Sequence, residues 1–215
     1  MKKPIIGILC ITLLIVSSLT VNAEPTHDKI NKSMHVEISK DGKDRVITSS
    51  NKVTDKIKFE AEVNEFLGQE VMSLATTINL KDSDRYDYNG SYCQSEFDSD
   101  VTYSVITDLR VNGTSKAKWM GSNPVNCDNI KLEDSFTITG VAVSITLGSD
   151  WSVTGGLTSK TGTWSKDYDD EWIITHNYSN LDFNGYELYI KQKARGYYTF
   201  GTTTHDTSAV DSTLL

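Results

Sequence analysis

The sequence predicts a mainly β protein, an antiparallel sandwich (or barrel) of about eight strands, made for export. Three observations carry this. Apolar residues alternate with polar ones from Asp82 onward, the period of half-buried strands. Turn dipeptides punctuate that pattern every 8 to 14 residues, the spacing of sandwiches and barrels. The long crossover helices that a parallel sheet requires have no counterpart in the pattern.

The chain opens on Met1-Lys2-Lys3, continues through an apolar run from Pro4 to Leu19, and reaches Val21-Asn22-Ala23. This is the layout of a secretory signal over residues 1–23, with cleavage expected after Ala23. The run is short for a membrane span, which takes about 18 or more apolar residues, so no stable membrane anchor is expected. The mature protein is expected to be secreted.

Residues 24–56 read as a flexible N-terminal arm or pro-segment. All twenty Phe, Trp and Tyr residues lie between Phe59 and Phe200, so the arm has little apolar area to offset its ordering entropy. One weak hairpin is expected there, His35–Ser39 against Arg45–Thr48 across Asp41-Gly42. Residues 57–215 form the predicted β-rich domain. It begins with alternating Ile57, Phe59, Ala61 and Val63, then Leu67, Val71, Leu74, Ala75 and Ile78 recur at the spacing of one short helix.

Asn89-Gly90 marks the first turn. Val101, Tyr103, Val105, Thr107, Leu109 and Val111 read as one face of a single strand. Asn112-Gly113 reads as a two-residue hairpin returning through Ser115–Met120, since both turn positions need positive φ. Val141, Val143, Ile145 and Leu147 alternate up to Gly148-Ser149-Asp150. Trp151–Leu157 and Trp172–Tyr178 are shorter strands. Asn184-Gly185 reads as a turn before Tyr186, Leu188 and Ile190, and Tyr198–Phe200 closes the pattern.

Net charge is −8, and −10 once the signal's two lysines leave. A negative surface repels phosphate backbones and anionic headgroups, so nucleic acid is not an expected partner. Cys10 leaves with the signal. Cys93 and Cys127, 34 positions apart in an oxidising compartment, are expected to form one disulfide, with about 3.8 kcal/mol of chain-entropy stabilisation.

No catalytic motif is visible. The G-x-S-x-G elbow is missing, and His176 follows Trp172 and Ile174 as a strand residue facing inward. Two carboxylate clusters, Asp82/Asp84/Asp87 with Glu96/Asp98/Asp100 and Asp167/Asp169/Asp170/Glu171, suit a weak calcium site or solvated turns. The first departs from an EF-hand loop at Asp87, where glycine is needed. No metal or other cofactor is assigned.

Aromatic rings near turns are the best binding candidates: Trp164, flanked by Thr163 and Ser165, with Tyr86, Tyr88 and Tyr92. Exposed rings stack on sugars or anchor protein partners. The expectation is therefore a secreted, non-catalytic binding module for an extracellular glycan or protein. The alternative is a secreted hydrolase or toxin-like effector. Its pore-forming variant rests on the alternation of Thr137–Leu147.

Overall fold

The computed structural model describes residues 34–49, 76–103, 108–122 and 127–215. The signal lies outside them, as does the predicted strand-to-helix passage except its last position, Ile78, which is in a strand instead of the expected helix. Among the described residues there is no helix. Ten antiparallel strands follow in chain order: β1 (Met34–Ile38), β2 (Asp44–Ser49), β3 (Thr76–Tyr88), β4 (Ser91–Tyr103), β5 (Asp108–Gly121), β6 (Asn129–Thr146), β7 (Ser152–Gly155), β8 (Ser159–Asp169), β9 (Ile173–Phe200) and β10 (Thr203–Leu214).

β9 organises the molecule. Its first part, Ile173–Tyr178, pairs with β2 on one side and β5 on the other. From Asp182 it pairs with β6, while β5 still pairs with it as far as Asn184, and from Tyr189 it pairs with β10 as well. One strand thus belongs to two layers, β1-β2-β9-β5-β4-β3 and β10-β9-β6-β8-β7. It passes between them where Asn180, Gly185 and Glu187 take positive φ of 53°, 153° and 50°. Such bulged, bent positions are how strands change sheets. The sheet does not close into a barrel, so the fold is the sandwich-like alternative.

Alternation fills the space between the layers. Val101, Val111, Trp119, Leu132, Phe136, Ile138, Phe183 and Ile190 join one buried core. Polar pins cross it. The Tyr198 hydroxyl of the second layer donates to the Gln94 carbonyl and accepts from the Lys118 amide. Gln192 donates to the Tyr178 hydroxyl, which also meets Ser99 Oγ at 2.6 Å. Buried hydroxyls of this kind must be paired, so they fix how the layers stack.

The predicted arm hairpin forms as Met34–Ile38 against Asp44–Ser49, and it does not hang free. β2 adds to β9 and buries Val46 and Ile47. Two apolar residues suffice because the edge of β9 supplies backbone partners.

Asn89-Gly90 is the expected turn, with φ of 48° and 74°, joining β3 and β4. The other two Asn-Gly pairs are corrections. Asn112-Gly113 lies inside β5 at a register shift against β9, and Asn184-Gly185 lies inside β9. Gly113 is required there because a Cβ would sit 2.5 Å from Ser99 Oγ and 2.7 Å from the Asp98 carbonyl. The single strand expected over Val101–Val111 is a hairpin, with Val101 opposite Val111. Alternation continues unbroken through a connection that preserves parity, so periodicity could not mark it.

Cys93 and Cys127 are both buried but unbonded, which departs from the expected disulfide. The Cys127 thiol instead donates to the carbonyls of Asn129 and Thr199 at 3.2 and 3.5 Å. Burial pushes both thiols up to about 12.

Candidate functional site

Trp164, expected at the surface, is 1 % exposed. Its polar neighbours Thr163 and Ser165 point outward, and the same alternation turns the indole inward. There it stacks on His176 with centroids 3.6 Å apart and planes 12° apart. Tyr86, Tyr88 and Tyr92 do not share one face. Tyr86 and Tyr88 pack around His205, at 4.8 and 4.6 Å. Tyr92, on the opposite side of the hairpin, lies under Arg85 at 3.8 Å. Of the three, Tyr86 is the most open.

His176 is sealed in the core between two carboxylates. Nδ1 meets Asp134 Oδ2 at 2.6 Å and Nε2 meets Asp44 Oδ1 at 3.2 Å. Asp44 also accepts the Trp151 indole N–H at 2.9 Å. Burial alone would lower the imidazole pKa, but hydrogen bonds and charge from Asp134 and Asp44 outweigh it and raise the value. Carboxylates at both ring nitrogens favour the imidazolium form. The ring faces no solvent.

Several carboxylates of the acidic clusters are engaged within the fold. Asp82 and Asp84 accept the backbone N–H groups of Val210 and Ser208, the latter at 2.7 Å, while Asp211 accepts that of Lys81 at 3.0 Å. These carboxylates clasp the open edge of β3 to that of β10. Asp98 is paired with Lys81 at 2.6 Å, and Asp167 and Asp169 accept from Asn129. Among the described residues no three His, Cys, Asp or Glu side chains are grouped to hold a metal ion.

The most open aromatic surface is one that sequence reasoning missed. On the outer face of the second layer, Tyr186 and Tyr189 are 54 % and 37 % exposed. Tyr186 lies opposite Val141, and Tyr189 lies between Thr139 and Leu214. Lys191 and Lys193 continue the row along β9, flanked by Thr137 and Ser135 on β6 and by Ser212 and Val210 on β10. Among the described residues neither lysine makes an ion pair. Hydroxyls of Thr161 and Thr163 on β8 extend the same face. Sequence alternation placed Tyr186 with Leu188 and Ile190. The bulge at Glu187 reverses the parity, so Tyr186 points outward while Leu188 points inward. The only signal for that reversal was the nearby Asn184-Gly185. No protein-family model matches the sequence, and no curated protein is significantly similar to it.

Proposed function

We propose that the chain is a secreted, non-catalytic binding module that presents the outer face of its second layer to an extracellular glycan. The observation that carries this is the presence of two exposed rings, Tyr186 and Tyr189, on one outer face that also carries Ser and Thr hydroxyls. Rings stack on the apolar faces of sugars, hydroxyls meet their edges, and the two unpaired lysines favour chains that carry negative groups. The reading includes export through residues 1–23. It also includes closure of Cys93 with Cys127 in an oxidising compartment, for which non-reducing peptide mapping of exported protein should recover one cross-linked pair.

Screening the mature protein against glycans and extracellular proteins tests the reading. Tyr186→Ala with Tyr189→Ala should weaken glycan binding by about tenfold or more, since stacking is worth on the order of 1 kcal/mol per ring. Melting should barely move, because both rings are exposed. Binding to proteins alone would replace the glycan assignment. Robust turnover of an ester, peptide or glycoside would overturn the non-catalytic reading.

A further inference from the structure

We propose a second site, on the outer face of the first layer, that binds a small hydroxylated carboxylate of the uronic-acid class. It does not depend on the aromatic face of the other layer. The site is an open cleft of about 280 Å³ lined by Lys43, Arg45, Asp98, Asp100, Thr114 and Asn177, among others. Its shape follows from the bulge at Asn112-Gly113 and the bend at Asn180, where the Asn180 amide donates to Asn112 Oδ1 at 2.8 Å.

Asn177, Thr114 and Asp98 lie in one row across β9, β5 and β4, and Arg45 on β2 completes it. Three strand spacings separate the Arg45 and Asp98 backbones, roughly 14 Å, with short side chains between. That leaves a trough wide enough for one sugar ring.

The floor holds a donor with nothing to donate to. Asn177 is only 8 % exposed. Thr114 Oγ1 donates to its Oδ1 at 2.6 Å, which fixes the amide, and its Nδ2 has no partner. A buried unsatisfied amide costs about 1–3 kcal/mol, and a ligand oxygen would recover that. On one wall Arg45 makes no ion pair or hydrogen bond among the described residues. Its planar fork suits a carboxylate. Lys43, beside it, is held by the Asn180 carbonyl at 3.0 Å.

The opposite wall is acidic but differently engaged. Asp98 is neutralised by Lys81 at 2.6 Å and accepts a hydrogen bond from Asn79 at 2.7 Å, whereas Asp100 has only a long contact of 3.4 Å from Asn79. Asp100 therefore keeps acceptor capacity for ligand hydroxyls. A simple anion would satisfy Arg45 and be repelled by Asp100. A neutral sugar would satisfy Asp100 and leave Arg45 empty. A carboxylate with hydroxyls on its far side satisfies both walls and the Asn177 donor.

Amide NMR titration of the mature chain with methyl glucuronide, methyl glucoside and acetate tests this. Saturable shifts are expected for the uronide at Thr114, Ser179 and the Asn177 side-chain NH2, with the other two probes at least about tenfold weaker. Arg45→Gln should bring uronide affinity down to that of the glucoside. Thr114→Val, which frees the Asn177 amide to turn, should weaken both sugars and serves if the first variant folds poorly. No saturable shift at these residues, equal affinity for uronide and glucoside, or uronide binding indifferent to Arg45→Gln would each overturn the assignment. Loss of glycan binding at Tyr186 and Tyr189 would leave it standing, so the two sites fail separately.

Discussion

Two carboxylates flank the His176 ring and favour its charged form, and this couples the core to pH in a defined direction. The groups facing the ring are Asp44 from β2, Asp134 from β6, Tyr178 from β9 and the indoles of Trp151 and Trp164. The folded pKa is raised above the unfolded value of about 6.5. The stabilisation is therefore complete below that unfolded value and is lost as pH rises through the raised folded value. Melting curves of the wild type and His176→Gln should differ most at acid pH, by about 3–5 kcal/mol for a broken buried pair, and converge toward alkaline pH. A constant gap would contradict the charged triad. Trp164→Ala removes the ring stacked on that imidazole and should cost about 3–5 kcal/mol, read by denaturant midpoint. By sequence alone, polar Thr163 and Ser165 on either side place Trp164 at the surface, whereas strand alternation turns the residue between two outward side chains inward. The partners of His176 were not legible in the sequence, since Asp44 and Asp134 are brought to it by β2 and β6 from 132 and 42 positions away.

At the scale of elements, one dipeptide has three outcomes. Asn89-Gly90 reverses the chain, Asn112-Gly113 bulges it, and Asn184-Gly185 bends a strand from one layer to the next. Asn-Gly signals tolerance of positive φ, not reversal; whether the next strand returns or continues depends on partners far along the sequence. The strands themselves were legible from period two, as was their antiparallel class. By sequence alone the carboxylates that precede the first turn suit solvated or calcium-binding loops, whereas the clasp that Asp82 and Asp84 make needs the β3 and β10 edges side by side. Open edges invite pairing with other chains, and here Asp82 and Asp84 satisfy the β10 amides instead. Asp82→Ala and Asp84→Ala should each cost about 1.5–3 kcal/mol, the range for hydrogen bonds to charged groups. Amide exchange should accelerate first at Val210 and Ser208. Unchanged exchange there would mean that the clasp does not hold in solution.

For the whole molecule, the sharing of β9 sets how it can come apart. Neither layer can lose that strand without opening the other, and the Tyr198 and Tyr178 hydroxyls tie the two across the core. The passage point is Gly185, whose φ of 153° excludes side chains and whose Cβ would lie 2.8 Å from Leu188 Cδ2 and 3.0 Å from the Val141 carbonyl. A substitution there strains the bend that both layers depend on, at a cost of about 1–3 kcal/mol. Gly185→Ala should therefore lower the denaturant midpoint without changing the slope. Far-ultraviolet signal, which reports all strands, should fall together with the fluorescence of Trp119 in the first layer and Trp164 in the second. If the variant separated these probes, with one layer melting before the other, the strand would be a hinge between two independent sheets. Coincidence at a lowered midpoint is the outcome that a single core built around one shared strand requires.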